Sequence, residues 1–458
     1  MLPVRMQLDK IAILPALGVL YLLINGKDTR TVFITYFLPV LTLIPAYYET
    51  KLISGIPEFS FWSSVLIPVF MIWILNEKME GYKFTWLDMI IILHLVLIFY
   101  AQFEATGYKD AQKILFREST KRLLPYLIFK AILLDNTKRI DALKMITNLG
   151  VIVSVFMLFE MKFYYNAIDL IIRNNWPYNV PWDGVLSRYG FKRAAGSFAH
   201  PISAGYFFAM SAPLAFWLWR EKYYENDKIG LGVFIANSLG VLSSISRAPI
   251  AGLLLSSLII WFGWSKSKTI TGGLLIFVSI LGLAVIIPKF SEYVSIDRSN
   301  ALTRDQENAA YRKEMLDNYI DVIKEKPYWG YGRYTFPVIN DQKSIDNEYL
   351  FIAITAGLNN LVVYLIIIIT VLVKLLRYAF SNSWNDKGCK VAWVLLGIWL
   401  SAIFTQATVY SGMQTTHYFF MMAALAEVLV IRKNSFVSEH PKTTEIGAIS
   451  EYNFSRTL

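Results

Sequence analysis

Long apolar runs separated by short polar breaks organise this chain. The runs fall at about 11–25, 31–48, 60–76, 86–102, 143–160, 201–219, 229–246, 248–264, 270–288, 347–373, 391–409 and 414–431. At 1.5 Å per residue, roughly 17–20 helical residues cross the ~30 Å hydrocarbon of a bilayer. Residues 201–219, 229–245 and 272–288 contain no charged side chain. The pattern predicts an all-α polytopic membrane protein of about twelve transmembrane helices, with one large extracytoplasmic loop that carries an amphipathic helix. Its divisions are 1–160, N-terminal membrane helices; 161–288, membrane helices with outer arginine motifs; 289–346, the large loop; 347–432, C-terminal membrane helices; and 433–458, a cytoplasmic tail.

A thirteenth candidate, 123–134, is short and has Lys130 in its middle. Whether it crosses decides the orientation of everything before it, and lysine and arginine in short loops favour the cytoplasm. Without that crossing, Arg5, Lys10, Lys51, Lys109, Lys113, Arg117, Lys121, Arg122, Lys138 and Arg139 lie inside. Lys27, Arg30, Lys78 and Lys83 then lie outside, so ten of these fourteen cations are cytoplasmic. With it, only six are. The count favours twelve spans, both termini cytoplasmic and 123–134 interfacial or re-entrant. Either way, 161–200, the turn at 244–249 and 289–346 are extracytoplasmic.

Composition agrees: 55% of residues are hydrophobic and only 17% charged, well below a soluble protein's share. The net charge of +10 resides in inter-helix loops facing lipid headgroups, and no basic track interleaved with aromatics suggests nucleic acid. Trp62, Trp73, Trp86, Trp217 and Trp219 near run ends suit interfacial belts. One cysteine, Cys389, excludes an intrachain disulfide, and the four histidines have no metal-ligand spacing, so neither metal nor cofactor is expected.

The large loop is patterned. Tyr311, Met315, Leu316, Tyr319, Ile320 and Ile323 recur at helical spacing, with Arg312, Asp317, Asp321 and Lys324 off that stripe. Pro327 stops the helix, Gly330 and Gly332 mark a turn before Arg333, and Asp346-Asn347-Glu348 leads into the next span. Two further groups stand at expected outer boundaries: Arg193 in Lys192-Arg193-Ala194-Ala195-Gly196-Ser197-Phe198-Ala199-His200-Pro201, and Arg247 in the tight Ser246-Arg247 turn. Charges there are costly unless paired or functional. Arginine's planar fork matches phosphate oxygens, so Arg193, Arg247 and Arg312 in one outer cavity would suit a diphosphate. A carboxylate such as Asp346 would suit a general base for a sugar hydroxyl. A headgroup anchor, or a partner for a nearby acid, is the plain alternative for each arginine. Asp88 and His94 share one run, but six residues is poor spacing for one helical face, so separate interior contacts are expected.

These groups resemble the O-antigen ligase and polymerase superfamily. The resemblance spans about 190–375. It rests on Arg193 before Gly196-Ser197-Phe198 and Pro201; on Ser246-Arg247; and on Arg312, Pro327, Gly330, Gly332 and Asp346-Asn347-Glu348-Tyr349-Leu350 in order. It implies a bacterial cytoplasmic-membrane glycosyltransferase that uses an undecaprenyl-diphosphate-linked glycan donor and a glycan acceptor, among membrane lipids and other polysaccharide assembly proteins. Asp346 would be catalytic; Arg193, Arg247, Arg312 and Asn347 would bind substrate, with His200, Glu348 and Arg333 as further candidates. Ligases of the superfamily are expected to show His where Asp346 stands, so the resemblance leans to a polymerase of exopolysaccharide, capsule or O-antigen. The alternatives are a ligase, a polysaccharide-lipid flippase or transporter, and an inert scaffold.

Overall fold

Inside hydrocarbon every backbone N–H and C=O must be satisfied within the protein, and helices do this segment by segment. The computed structural model describes residues 14–45, 49–50, 57, 59–168, 170–171, 187–188, 190–275, 298–300, 302, 304–339, 342, 344–381, 386–412 and 414–432. The first helices are α1 (Leu14–Ile24), α2 (Thr29–Leu43, with a π-helical turn at Phe33–Phe37), α3 (Phe61–Leu75) and α4 (Trp86–Thr106). After these come α5 (Tyr108–Glu118), α6 (Leu124–Leu134) and α7 (Asn136–Phe163), with a π-helical turn at Ser119–Leu123 joining α5 to α6. Then follow α8 (Pro201–Arg220), α9 (Asp227–Ser243), α10 (Arg247–Trp264), α11 (Arg304–Glu325), α12 (Glu348–Ser381), α13 (Lys387–Gln406) and α14 (Gln414–Ile431). The backbone is also helical over 268–275. A 3-10 turn at Arg298–Asn300 and two antiparallel pairs of two-residue strands are also described: β1 (Glu49–Thr50) with β2 (Phe59–Ser60), and β3 (Ser187–Arg188) with β4 (Phe191–Lys192). Among the described residues, α4, α7, α8, α10, α12, α13 and α14 are long and apolar enough to cross a membrane. The protein is an all-α membrane protein. The expected run at 270–288 lies mostly outside the described residues, as do 1–10, 289–297 and the tail from 433.

The bundle is centred on α14, whose residues from Gln414 to Leu429 are all buried. Small residues let helices approach closely where no hydrophobic effect separates protein from lipid. Gly252 and Ser256 of α10 face Ser401 and Gly397 of α13, and Gly263 faces Trp393. Asn237 of α9 joins three helices: it accepts from Ser211 Oγ of α8 at 2.8 Å and donates to Thr147 O of α7 at 3.0 Å. Of the five expected belt tryptophans, Trp62, Trp73 and Trp217 are core residues, Trp219 is half-buried and Trp86 is 70% exposed. Asp88 and His94 do not meet. Asp88 pairs with Lys130 at 2.7 Å, and His94 hydrogen-bonds Asn360 at 2.8 Å.

The ends of the bundle are fixed by ion pairs and cap contacts. At the far end Arg30 pairs with Asp135 at 2.8 Å, Thr29 N donates to Glu77 at 2.9 Å and Arg432 donates to Leu134 O at 2.6 Å. At the other, the loop end, Arg333 N donates to Gln102 at 2.7 Å and Arg122 faces Glu348 at 3.5 Å. These contacts correct the expected arrangement of the N-terminal half. Lys109 to Arg122 and Lys138–Arg139 lie at opposite ends, because α5 and α6 together run from one end to the other. All eleven residues of α6 are buried within the bundle. Arg122 is only 3% exposed and paired with carboxylates, so it carries no weight in the charge count. The loop-charge rule concerns cations that face lipid and solvent, and Arg122 is not one.

α11 packs Met315, Tyr319 and Val322 against Ile345, Leu350 and Ile354. Leu316 and Ile320, expected on the buried stripe, are 40% and 45% exposed. Beyond α11 the chain docks into a break in α12. Gly357 there has φ 78° and ψ 169°, which interrupts the helical ladder. The loop restores the lost bonds: Tyr331 N donates to Ile354 O at 2.8 Å, Gly332 N to Thr355 O at 2.9 Å, and Leu358 N to Pro327 O at 2.7 Å. A side chain at Gly330 would come within 2.5 Å of Ile354 O, so the close approach requires glycine there.

Candidate functional site

The first half of the site is built on the tight turn between α9 and α10. Ile245 takes the left-handed region at φ 45°, unusual for a β-branched residue. Ser246 caps α10, so Arg247 stands at its first position, exposed. Three contacts converge on this turn: Arg193 Nη2 donates to Ser246 Oγ at 2.9 Å, Ala194 N to Ser243 O at 3.1 Å, and Arg188 Nη1 to Ile245 O at 3.3 Å. The segment after Arg193 is anchored by Glu160 of α7, which accepts from Ala195 N at 3.0 Å and Gly196 N at 2.9 Å and pairs with Lys192 at 3.3 Å. Arg193 is thereby aimed at Arg247's turn from both sides of its own backbone. His200 caps α8 by accepting from Ile202 N through Nδ1 at 3.1 Å. Burial, and after it the charge of Arg193, holds His200 down at about 4, so it is neutral near pH 7.

The second half lies on the turn between α13 and α14, residues 407–412. Asn347 Nδ2 donates to Ala407 O at 3.0 Å, and Arg312 Nη2 to Thr408 O at 3.4 Å. Asn347 also accepts from Leu350 N at 3.0 Å, which fixes the entry to α12. Asp346, half-buried, accepts from Ser344 Oγ at 3.1 Å. Glu348 points inward: it is fully buried and accepts from Ser411 N at 2.9 Å.

Helix register relates the halves. α10 and α13 run antiparallel with Gly263 at Trp393, Ser256 at Gly397, and Gly252 at Ser401 and Thr405. Continuing that register to the start of α10 brings Arg247 level with Ala407 and Thr408, the acceptors of Asn347 and Arg312. Tyr206 of α8 and Tyr364 of α12 both hydrogen-bond Gln406, at 3.1 and 2.9 Å, and close the floor beneath the turn.

Arg333 and Glu348 are internal. Arg333 donates to Glu118 at 3.1 Å and to Tyr410 Oη, and its guanidinium lies over the Phe351 ring at 5.2 Å. Burial works against its charge, yet Tyr410 and Glu118 hold its pKa above arginine's ordinary value. A small cavity between α4, α5 and α12 is lined by Gln102, Glu118, Arg122, Arg333 and Asn360. The sequence reading missed Glu118, Arg122, Glu160 and Arg188. The Glu118–Arg122 spacing of four was the available signal, since it pairs charges on a helix.

The arrangement is that of a helical membrane protein with Arg193 held on the turn before α10, and Arg312 and Asn347 held on the turn after α13. A family model described as O-antigen ligase matches residues 232–365, less than a third of the chain. The match is in keeping with the O-antigen ligase and polymerase superfamily. Arg247, Arg312, Arg333, Asp346, Asn347 and Glu348 fall within the match; Arg193 and His200 precede it. None of the curated proteins matches the chain.

Proposed function

We propose that the protein is a polymerase that joins undecaprenyl-diphosphate-linked oligosaccharide repeat units into a surface polysaccharide, by metal-independent, inverting glycosyl transfer. The family match supports the coarser part, because its members are glycan-processing enzymes. One observation carries the finer part: Asn347 and Arg312 donate to the turn after α13, and Arg247 heads the helix packed against α13.

In this reading Arg193 and Arg247, with Arg312, grip the donor diphosphate and stabilise its charge as it departs. The acceptor hydroxyl attacks the anomeric carbon from the face opposite the diphosphate. Asp346 takes the hydroxyl proton, the new glycosidic bond forms, and polyprenyl diphosphate leaves with the electron pair of the broken bond. Asn347 positions Asp346 by tying the chain beside it to Ala407. The protein sits in a bacterial cytoplasmic membrane as a multi-pass chain, with the loop end extracytoplasmic. Counting α6 as a span makes thirteen crossings in place of twelve, with α14 ending at the cytoplasm and α1 starting outside. Other polysaccharide assembly proteins are expected neighbours.

The test is incubation of purified protein with a polyprenyl-diphosphate oligosaccharide in the presence of a chelator. A ladder of longer glycans is expected. Transfer only when a lipid A–core acceptor is added would make the protein a ligase, and no transfer to any acceptor would contradict the reading.

A further inference from the structure

We propose that Arg122, far in sequence from the residues assigned to substrate, is a positioning residue that acts through Glu348 on the turn at 407–412. The proposal rests on the polymerase reading and extends it to the N-terminal half, outside the family match.

Three buried charges and the half-buried Arg333 form a closed chain beneath that turn. Arg122 Nε donates to Glu118 Oε2 at 2.7 Å, and its Nη2 faces Glu348 Oε1 at 3.5 Å. The second oxygen of Glu118 accepts from Arg333 at 3.1 Å, and the second oxygen of Glu348 accepts from Ser411 N at 2.9 Å. Arg333 then reaches Tyr410 Oη. The turn is therefore gripped from below at two successive residues, Tyr410 and Ser411. Both grips trace back to the Glu118–Arg122 pair, one helical turn apart.

The chain holds two guanidinium and two carboxylate groups, so it is self-neutralising. It also uses what only arginine offers, a fork that addresses two carboxylates from different helices at once. His94 extends it by facing Arg122 Nη1 at 3.3 Å. On the other side of the turn, Asn347 and Arg312 donate to Ala407 and Thr408. Glu348 directly follows Asn347, so the carboxylate that Arg122 orients and the residue beside Asp346 move as one unit. Loosening the grip lets Asp346 drift from the reacting hydroxyl while the Arg193–Ser246–Arg247 group stays in place. Small misplacements of that kind cost turnover more than affinity.

The experiment uses the full-length protein and measures turnover of a polyprenyl-diphosphate oligosaccharide. Binding of sugar-free polyprenyl diphosphate is measured separately as the probe. The double variant Glu118→Gln with Arg122→Gln removes one charge of each sign. It is expected to lower kcat by about 10²-fold with probe affinity changed less than about twofold. Arg122→Lys, which keeps the charge but not the fork, is expected to lower kcat about tenfold, again with unchanged binding. If the double variant does not accumulate in the membrane, Arg122→Lys decides alone. Undiminished kcat, or a parallel loss of kcat and probe binding, overturns the proposal. A wild-type protein that extends no glycan overturns the polymerase reading and this inference with it.

Discussion

Asp346 and His200 show how two polar groups of the candidate site can differ in use. Asp346 is half-buried and, among the described residues, accepts from one serine hydroxyl, which leaves its second oxygen to receive a proton. Asp346→Asn keeps the hydrogen bond and removes the base, and general bases contribute about 10²–10⁴-fold. Glycan elongation is expected to fall by that order while protein stays in the membrane. His200 has no such freedom, because its Nδ1 must be unprotonated to accept from Ile202. Its value of about 4 lies below the ordinary 6.5, so as pH drops through that interval the unfolded chain gains a proton that the folded chain refuses. Stability is therefore full above about 6.5 and declines toward 4, by at most on the order of 3 kcal/mol. His200→Asn keeps a helix cap without the titration, and thermal unfolding across this window should be flatter for it than for wild type. Asp346 and Arg247 stood out in the sequence because charged residues at an apolar boundary demand explanation. Glu160 was not, because one acid inside an apolar run gives no hint that it will hold two backbone N–H groups 35 and 36 residues away.

At the scale of elements, the long apolar runs gave α8, α9, α10, α13 and α14 nearly end to end. Hydrophobic length is a local property, and so it survives in the sequence. The break in α12 was not legible, although the glycine turn that fills it was. Gly357 looks like any glycine in an apolar helix; its conformation follows from loop hydrogen bonds that replace those the helix gives up. A substituent there meets the Tyr328 carbonyl and also forces a non-glycine residue into left-handed backbone. Gly357→Ala is expected to destabilise the protein by about 2–4 kcal/mol and free the 327–333 segment. Limited proteolysis and thermal unfolding check this: faster cleavage in the loop is the expected result, and unchanged protection would speak against the docked arrangement. The stripe on α11 was read half correctly. Periodicity identified the helix, but its docking partner selected Met315, Tyr319 and Val322 over Leu316 and Ile320.

For the whole molecule, orientation was the hardest feature to read, because charge counting assumes that loop cations face solvent. Here Arg122 is paired inside the protein and Arg30 is tied to Asp135, yet the remaining cations still favour twelve spans, whereas the buried α6 favours thirteen. Single cysteines at Lys109 and Lys78, both exposed, test the result in a Cys389→Ser background. A membrane-impermeant maleimide applied to intact cells is expected to label position 109 and not 78; the reverse would restore the twelve-span arrangement.

The central claim is that boundary arginines and one carboxylate, distant in sequence, act on a single lipid-linked diphosphate sugar. Paired measurements of probe binding and chain extension test it most directly in Arg193→Ala, Arg247→Ala and Asp346→Asn. The account predicts that both arginine variants lose affinity for polyprenyl diphosphate, whereas Asp346→Asn binds it normally and extends nothing. Normal extension by Asp346→Asn, or normal binding by both arginine variants, would contradict it.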